Sequence, residues 1–132
     1  MMDTSFYREN LMDHYRNPRQ HGRIDAPTVS HEDLNPLCGD MIHIDLAIDN
    51  GVIVDARFDG HGCAVSQAAA SMLLEEIVGK SVAEVVAFGR DDLLELLGVT
   101  LSPARLKCAL LPLGVLRAGL HNAGIATVTP DH

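Results

Sequence analysis

Apolar and polar residues alternate strictly from Met41 to Asp49. Ile42, Ile44, Leu46 and Ile48 fall on one face, and His43, Asp45 and Asp49 on the other. A period of two is that of a strand with one buried side. Asn50-Gly51 follows. This pair suits a two-residue type I′ turn, whose central positions both require positive φ. Val52 to Phe58 is then the return strand of a hairpin.

After Gly60 and Gly62 the period becomes helical. Val65, Ala68, Ala69, Met72, Leu73 and Ile77 mark one face of a helix over 64–78, closed by Gly79. Ser81 caps a short helix containing Val82, Val85 and Val86, and Leu93, Leu94, Leu96 and Leu97 predict another that ends at Gly98. Ser102-Pro103 opens a final stretch with Leu106, Ala109, Leu110, Leu113, Leu116 and Leu120 on one side. Pro112 interrupts it, so either the helix kinks there or regular helix begins only after Cys108.

At the start, residues 3–16 form a helix capped by Asp3 or Thr4, with Phe6, Leu11 and Met12 as its apolar side, and Asn17-Pro18 ends it. Residues 17–37 show no helical period, and a short strand is expected around Ile24 and Val29. The tail from Ala123 to His132 reads as loose. Strands precede helices rather than alternate with them. The fold class is therefore α+β, a small antiparallel sheet with helices packed on it, in a single domain over residues 1–132.

Composition narrows the function. The chain has 18 acidic and 10 basic residues, a net charge of −8. That is a poor match to nucleic acid, which selects a basic face. Aromatic residues make up 4% and Trp is missing, so stacking on single strands is disfavoured as well. A hydrophobic content of 47% supports a packed core and argues against disorder. No run is long and apolar enough to span a bilayer, and the first residues lack the order of a signal peptide. The expectation is a cytoplasmic protein with no nucleic-acid or membrane partner.

Three cysteines cannot all pair within one chain, and without a secretion signal they point to metal ligation or reactive thiols. Cys38, in Asn35-Pro36-Leu37-Cys38-Gly39-Asp40, precedes the first hairpin strand. Cys63 follows the second, after Gly60-His61-Gly62. A hairpin returns the chain to its starting end, so both cysteines belong at one end of the sheet. Cys108, near the head of the last helix, is within reach of that end, and Asp40 adds an oxygen donor. Three thiolates and a carboxylate suit four-coordinate zinc or iron in a cluster. His61 is a possible alternative ligand. Arg105 and Lys107 would offset the charge of the thiolates. Each of these residues also has a plainer reading: small buried cysteines, a turn-forming aspartate, ordinary helix-surface cations. The cysteine spacing matches no simple zinc finger. His14, His21 and His31 read as surface or loop histidines, and Arg8, Arg16, Arg19 and Arg23 as a solvated basic face.

The order of motifs resembles a known family. Asn-Pro-Leu-Cys38-Gly-Asp40, Gly62-Cys63-Ala-Val-Ser66-Gln-Ala-Ala-Ala-Ser71 and Arg105-Leu-Lys107-Cys108-Ala are similar to the U-type iron–sulfur cluster assembly proteins: IscU, SufU and the N-terminal domain of NifU. Met12-Asp13-His14-Tyr15-Arg16-Asn17-Pro18-Arg19 resembles the family's first helix and its exit. The likeness runs from about residue 5 to 121. Lys107 before the last cysteine is SufU-like, whereas the absence of the SufU insertion between the second and third cysteines is IscU-like. Leu101-Ser102-Pro103-Ala104-Arg105 stands where IscU proteins carry the chaperone motif Leu-Pro-Pro-Val-Lys.

The resemblance implies a SufE/NifU-like fold and a site of Cys38, Asp40, Cys63 and Cys108. That site would bind zinc or iron and support a transient [2Fe–2S] cluster. A cysteine desulfurase of the SufS or IscS type would deliver persulfide sulfur to Cys38, as in SufU, or to Cys108, as in IscU. Apo iron–sulfur proteins would receive the cluster. The alternatives are a zinc-dependent sulfurtransferase that builds no cluster, and a structural zinc-binding interaction module. A simple thiol redox protein is disfavoured, because no Cys-x-x-Cys is present.

Overall fold

The expected hairpin forms the middle and one side of a three-stranded antiparallel sheet of order β1-β2-β3. In a computed structural model that describes residues 4–35 and 39–125, the elements run α1 (Thr4–Arg16), β1 (Val29–Asn35), β2 (Asp40–Asp49), β3 (Val52–His61), α2 (Ala64–Ile77), α3 (Val82–Ala87), α4 (Arg90–Leu97) and α5 (Pro103–Asn122). Asn50 and Gly51 join β2 to β3 with φ of 51° and 75°, as a type I′ turn requires. A bulge between Ala47 and Ile48 shifts the register beside the turn and leaves Ile48 only partly covered.

One face of the sheet carries the core. Ile42, Ile44 and Leu46 of β2 and Ile53, Ala56 and Phe58 of β3 are almost wholly buried against α2 and α5. Helix α2 is the central helix, enclosed on most sides: Ala68, Ala69, Ala70, Leu73, Leu74 and Ile77 have no exposed surface. Its alanines leave room for close packing, while α1 and α5 flank it. A helix apolar nearly all round is stable only in such a central position.

The helix termini follow the local chemistry. Ser81 and Glu84 make a reciprocal capping box at α3. Gly98 ends α4 in the left-handed region at φ 69°, and a Cβ there would strike the Tyr7 ring. Ser102 accepts the Arg105 N–H at the head of α5, and such a cap is worth ~1 kcal/mol. Helix α5 then runs through Pro112 without a break in its assignment, so the expectation that regular helix begins only after Cys108 gives way to a helix that starts at Pro103. Pro112 has no N–H for the carbonyl one turn back, which is that of Cys108.

Three expectations are corrected. Ile24 lies outside any strand, and β1 is instead the polar stretch Val29–Asn35, paired with β2 from Val29↔Leu46 to Asn35↔Asp40. Its pattern hides the strand because only Val29 is buried. His14 is not a surface residue: it is 4% exposed, with Nδ1 2.7 Å from Ser71 Oγ, which also accepts the Arg19 N–H at 2.8 Å. His43 and Asp45, expected on the solvated face of β2, are buried too. The Ile24 N–H, from the segment before β1, donates to Asp45 Oδ2 at 3.0 Å, and His43 Nε2 lies 2.7 Å from Asp45 Oδ1.

Candidate metal and sulfur site

Antiparallel pairing brings the start of β2 and the end of β3 together, since Met41 pairs with His61. Asp40 therefore opens β2 beside the link into α2. It is wholly buried, rather than free in a loop. The link is built for it. Gly62 stands at φ 133°, and a Cβ there would overlap the Asp40 carboxylate and lie 2.8 Å from its Cα. Gly60, at φ 159°, similarly passes against the Met41 carbonyl. Only glycines let the chain enter α2 this close to Asp40.

That approach places the sulfur. Asp40 Oδ1 accepts the Cys63 N–H at 2.8 Å, and Oδ2 lies 3.4 Å from Cys63 Sγ. Cys63 is the N-cap of α2, and its carbonyl accepts the hydroxyl of the buried Ser66 at 3.0 Å. Cys108, 3% exposed, comes from the second turn of α5. Ligand atoms of Asp40, Cys63 and Cys108 all lie within 4.8 Å of one another. A tetrahedral zinc holds thiolates at ~2.3 Å and so keeps sulfurs roughly 3.8 Å apart. Two thiols and a carboxylate at this separation fit zinc or iron after a small contraction.

Cys38 lies outside the described residues. The described residues on either side of it lie at the same end of the sheet: Asn35 pairs with Asp40, and the Gly39 N–H donates to the Asn35 carbonyl at 2.8 Å. His61 stands apart from the cluster. It is exposed, and its place beyond Gly60 turns it from the core face of β3. Arg105 and Lys107 are exposed on the first turns of α5, on either side of the partly covered Leu106. The sequence pattern assigns no role to Ser66 or to the His14–Ser71 pair, and marks Gly62 only as a glycine that permits close backbone approach beside a thiol. The glycine alone left a signal, its position directly before a cysteine.

The NifU-like N terminal domain family matches residues 6–124. This chain belongs to that family. It is 35% identical to the zinc-dependent sulfurtransferase SufU of Bacillus subtilis, over 90% of this chain and 91% of that one. It is also 35% identical to the iron–sulfur cluster assembly scaffold protein IscU of Thermotoga maritima, over 91% and 96% respectively. A Fervidobacterium islandicum AW-1 protein, described as an iron–sulfur cluster assembly scaffold for the SUF system, superposes with a TM-score of 0.75 at 30% identity, covering 90% of this chain and 99% of its own. The family's α+β architecture, a small antiparallel sheet with packed helices, is the one described above. No helix among the described residues is long and apolar enough to cross a membrane.

Proposed function

We propose that this protein is an iron–sulfur cluster assembly scaffold that takes sulfur from a cysteine desulfurase at the site of Asp40, Cys63 and Cys108, with Cys38 as the fourth donor. The convergence of two thiols and a buried carboxylate within 4.8 Å carries this reading. Family membership supports it.

The protein's own chemistry is a displacement. A site thiolate attacks the outer sulfur of a donor persulfide, the new S–S bond forms as the old one breaks, and the donor cysteine departs as a thiolate. No net oxidation occurs. Cys38 or Cys108 is the acceptor. Iron is cargo here, as is the [2Fe–2S] cluster passed on to apo acceptor proteins. Iron–sulfur clusters are ordinarily held by thiolates, so a carboxylate in the set makes the cargo easier to release. Arg105 and Lys107 add positive charge near a site that gathers up to four anions.

A second reading, zinc-dependent sulfur transfer without cluster assembly, is favoured by the likeness to the Bacillus protein and by Lys107 before Cys108. In that case zinc would be held by the same four side chains and would keep their thiols ionised. One experiment separates the two. The protein, as apo and zinc-loaded forms, is added to a cysteine desulfurase with free cysteine, and sulfide release is followed. Anaerobic iron is then supplied, and visible absorbance reports cluster formation. A cluster that forms and passes to an apo acceptor supports the scaffold. Zinc-dependent stimulation with no cluster supports the carrier, and neither response refutes both.

A further inference from the structure

The two edges of the sheet are treated differently. The outer edge of β3 is closed by neighbouring backbone: the Phe58 N–H donates to the Gln20 carbonyl and the Phe58 carbonyl accepts the Gly22 N–H, both at 2.8 Å, while the Ile53 carbonyl accepts the Gly79 N–H at 2.8 Å and the Ile53 N–H donates to the Lys80 carbonyl at 2.9 Å. The outer edge of β1 has no such cover among the described residues. In an antiparallel ladder successive residues point their N–H and C=O alternately to the two sides. The Leu34 N–H turns away from β2 to its neighbour's carboxylate, Asp33 Oδ1, at 2.8 Å. By alternation, Ser30 and Glu32 offer their backbone groups to the same open side.

A groove of about 630 Å³ lies at the end of this edge, between Asp33–Asn35 of β1 and α5. Asp33 and Leu34 both line it although they point to opposite faces of the sheet, which places the groove on the strand edge itself. Leu106, Leu110, Leu111 and Val115 form its other wall, and Leu34 is 55% exposed. Gly114 lies on this wall in mid-helix, where glycine is less favourable than alanine. A Cβ on it would meet nothing within 4 Å, so internal packing does not require the glycine. The charge is equally local. In a chain of net charge −8, the groove is bordered by Arg90 and Lys107, neither with an ion-pair partner among the described residues.

We infer that this groove receives an extended segment of a partner protein, with apolar and acidic residues in alternation, which adds to the open edge of β1 as a fourth strand. Backbone bonds to Ser30, Glu32 and Leu34 would supply affinity. Apolar side chains would enter between Leu34 and α5, and carboxylates would meet Arg90 and Lys107. The charged Glu32 and Asp33 on the edge disfavour the indiscriminate pairing that an open strand invites. The inference does not depend on which metal or cluster the cysteines hold.

The probe is a short labelled synthetic peptide alternating valine with aspartate, titrated into the full chain and followed by fluorescence anisotropy. The wild type should bind it. Gly114→Leu, which fills the groove, and Arg90→Glu should each weaken binding by at least about tenfold. Arg8→Glu, a charge change on α1, should not. A peptide N-methylated at alternate residues should fail to bind, and one with lysine in place of aspartate should bind more weakly. Circular dichroism establishes that each variant is folded. Equal binding by wild type and Gly114→Leu, equal binding of the N-methylated peptide, or no binding at millimolar peptide overturns the inference. Self-association of the chain that Gly114→Leu abolishes, without peptide binding, would assign the groove to a second copy instead.

Discussion

Asp40 grips Cys63 at two points: one carboxylate oxygen accepts its backbone N–H at 2.8 Å, and the other lies 3.4 Å from its sulfur. The same side chain therefore fixes the entry into α2 and stands at ligand distance from a thiol. Structure and chemistry are joined in one residue, and substitutions at that residue separate them.

Asp40→Asn keeps an oxygen for the Cys63 N–H and removes the charge. Asp40→Ala removes both, leaving a buried donor unpaired at a cost of about 1–3 kcal/mol. Urea titration should place the alanine variant well below the asparagine variant in stability. Zinc should bind more weakly to either. A reconstituted cluster in Asp40→Ala should outlive that of the wild type, as read from the decay of visible absorbance after an apo acceptor is added. Faster decay in the variant contradicts a labilising role for the carboxylate.

Gly62→Ala should act on the site through Asp40. The new methyl group would overlap the Asp40 carboxylate and force the link into α2 to shift. Combined with the positive φ, the strain is of the order of 1–3 kcal/mol. A zinc competition titration should show about tenfold or greater weakening. Gly114→Ala, with nothing within 4 Å of its Cβ, should instead raise thermal stability and leave zinc affinity unchanged.

Acid should lower the protein's stability over two pH windows. Burial, assisted by the nearby Arg19, lowers the His14 pKa below its ordinary 6.5, so the folded state holds this proton less well than the unfolded chain. The unfolded chain then binds the extra proton. His14's contribution is present above pH 6.5 and is lost as pH falls below it. Burial alone would raise the pKa of Asp45, but the Ile24 N–H, the Ser30 hydroxyl and His43 outweigh it and hold the group below 3.8. Its contribution persists above pH 3.8 and disappears below that. Urea midpoints measured against pH should fall over both windows. His14→Gln should flatten the first and spare the second; an unchanged first window contradicts the assignment.

The sequence made the hairpin, α2 and the capped helices legible because each depends on local rules: period, turn glycine and cap. It made the cysteine end of the sheet legible because a hairpin must return to its start. What it hid depends on contacts distant in the chain. Nothing near His14 announces Ser71, and the alternation of β2 assigns His43 and Asp45 to solvent without knowledge that Ile24 and Ser30 reach Asp45 and that Asp45 and Ser30 meet His43. β1 was obscured because its ladder is anchored by Ile42 and Ile44 of β2 rather than by apolar residues of its own. The burial of Asp40 was obscured likewise, since it follows from Gly62, far along the chain.

Pro112 should loosen the part of α5 that carries Cys108, because the helix cannot supply the Cys108 carbonyl with its usual N–H. Pro112→Ala restores that donor. Amide exchange over residues 106–112 should slow, and so should alkylation of Cys108 by iodoacetamide. Faster exchange in the variant would show that the ring's packing outweighs the missing bond.

The central claim is that Asp40, Cys63 and Cys108 act on one metal ion. X-ray absorption at the zinc edge, on protein loaded anaerobically with one equivalent of zinc, tests it most directly. The predicted spectrum has a sulfur-dominated shell at about 2.3 Å with a shorter oxygen contribution at about 2.0–2.2 Å. Sulfur amplitude should fall in Cys63→Ser and in Cys108→Ser, and the oxygen contribution should fall in Asp40→Ala. A shell of nitrogen and oxygen only, or spectra that neither cysteine substitution alters, would contradict the account.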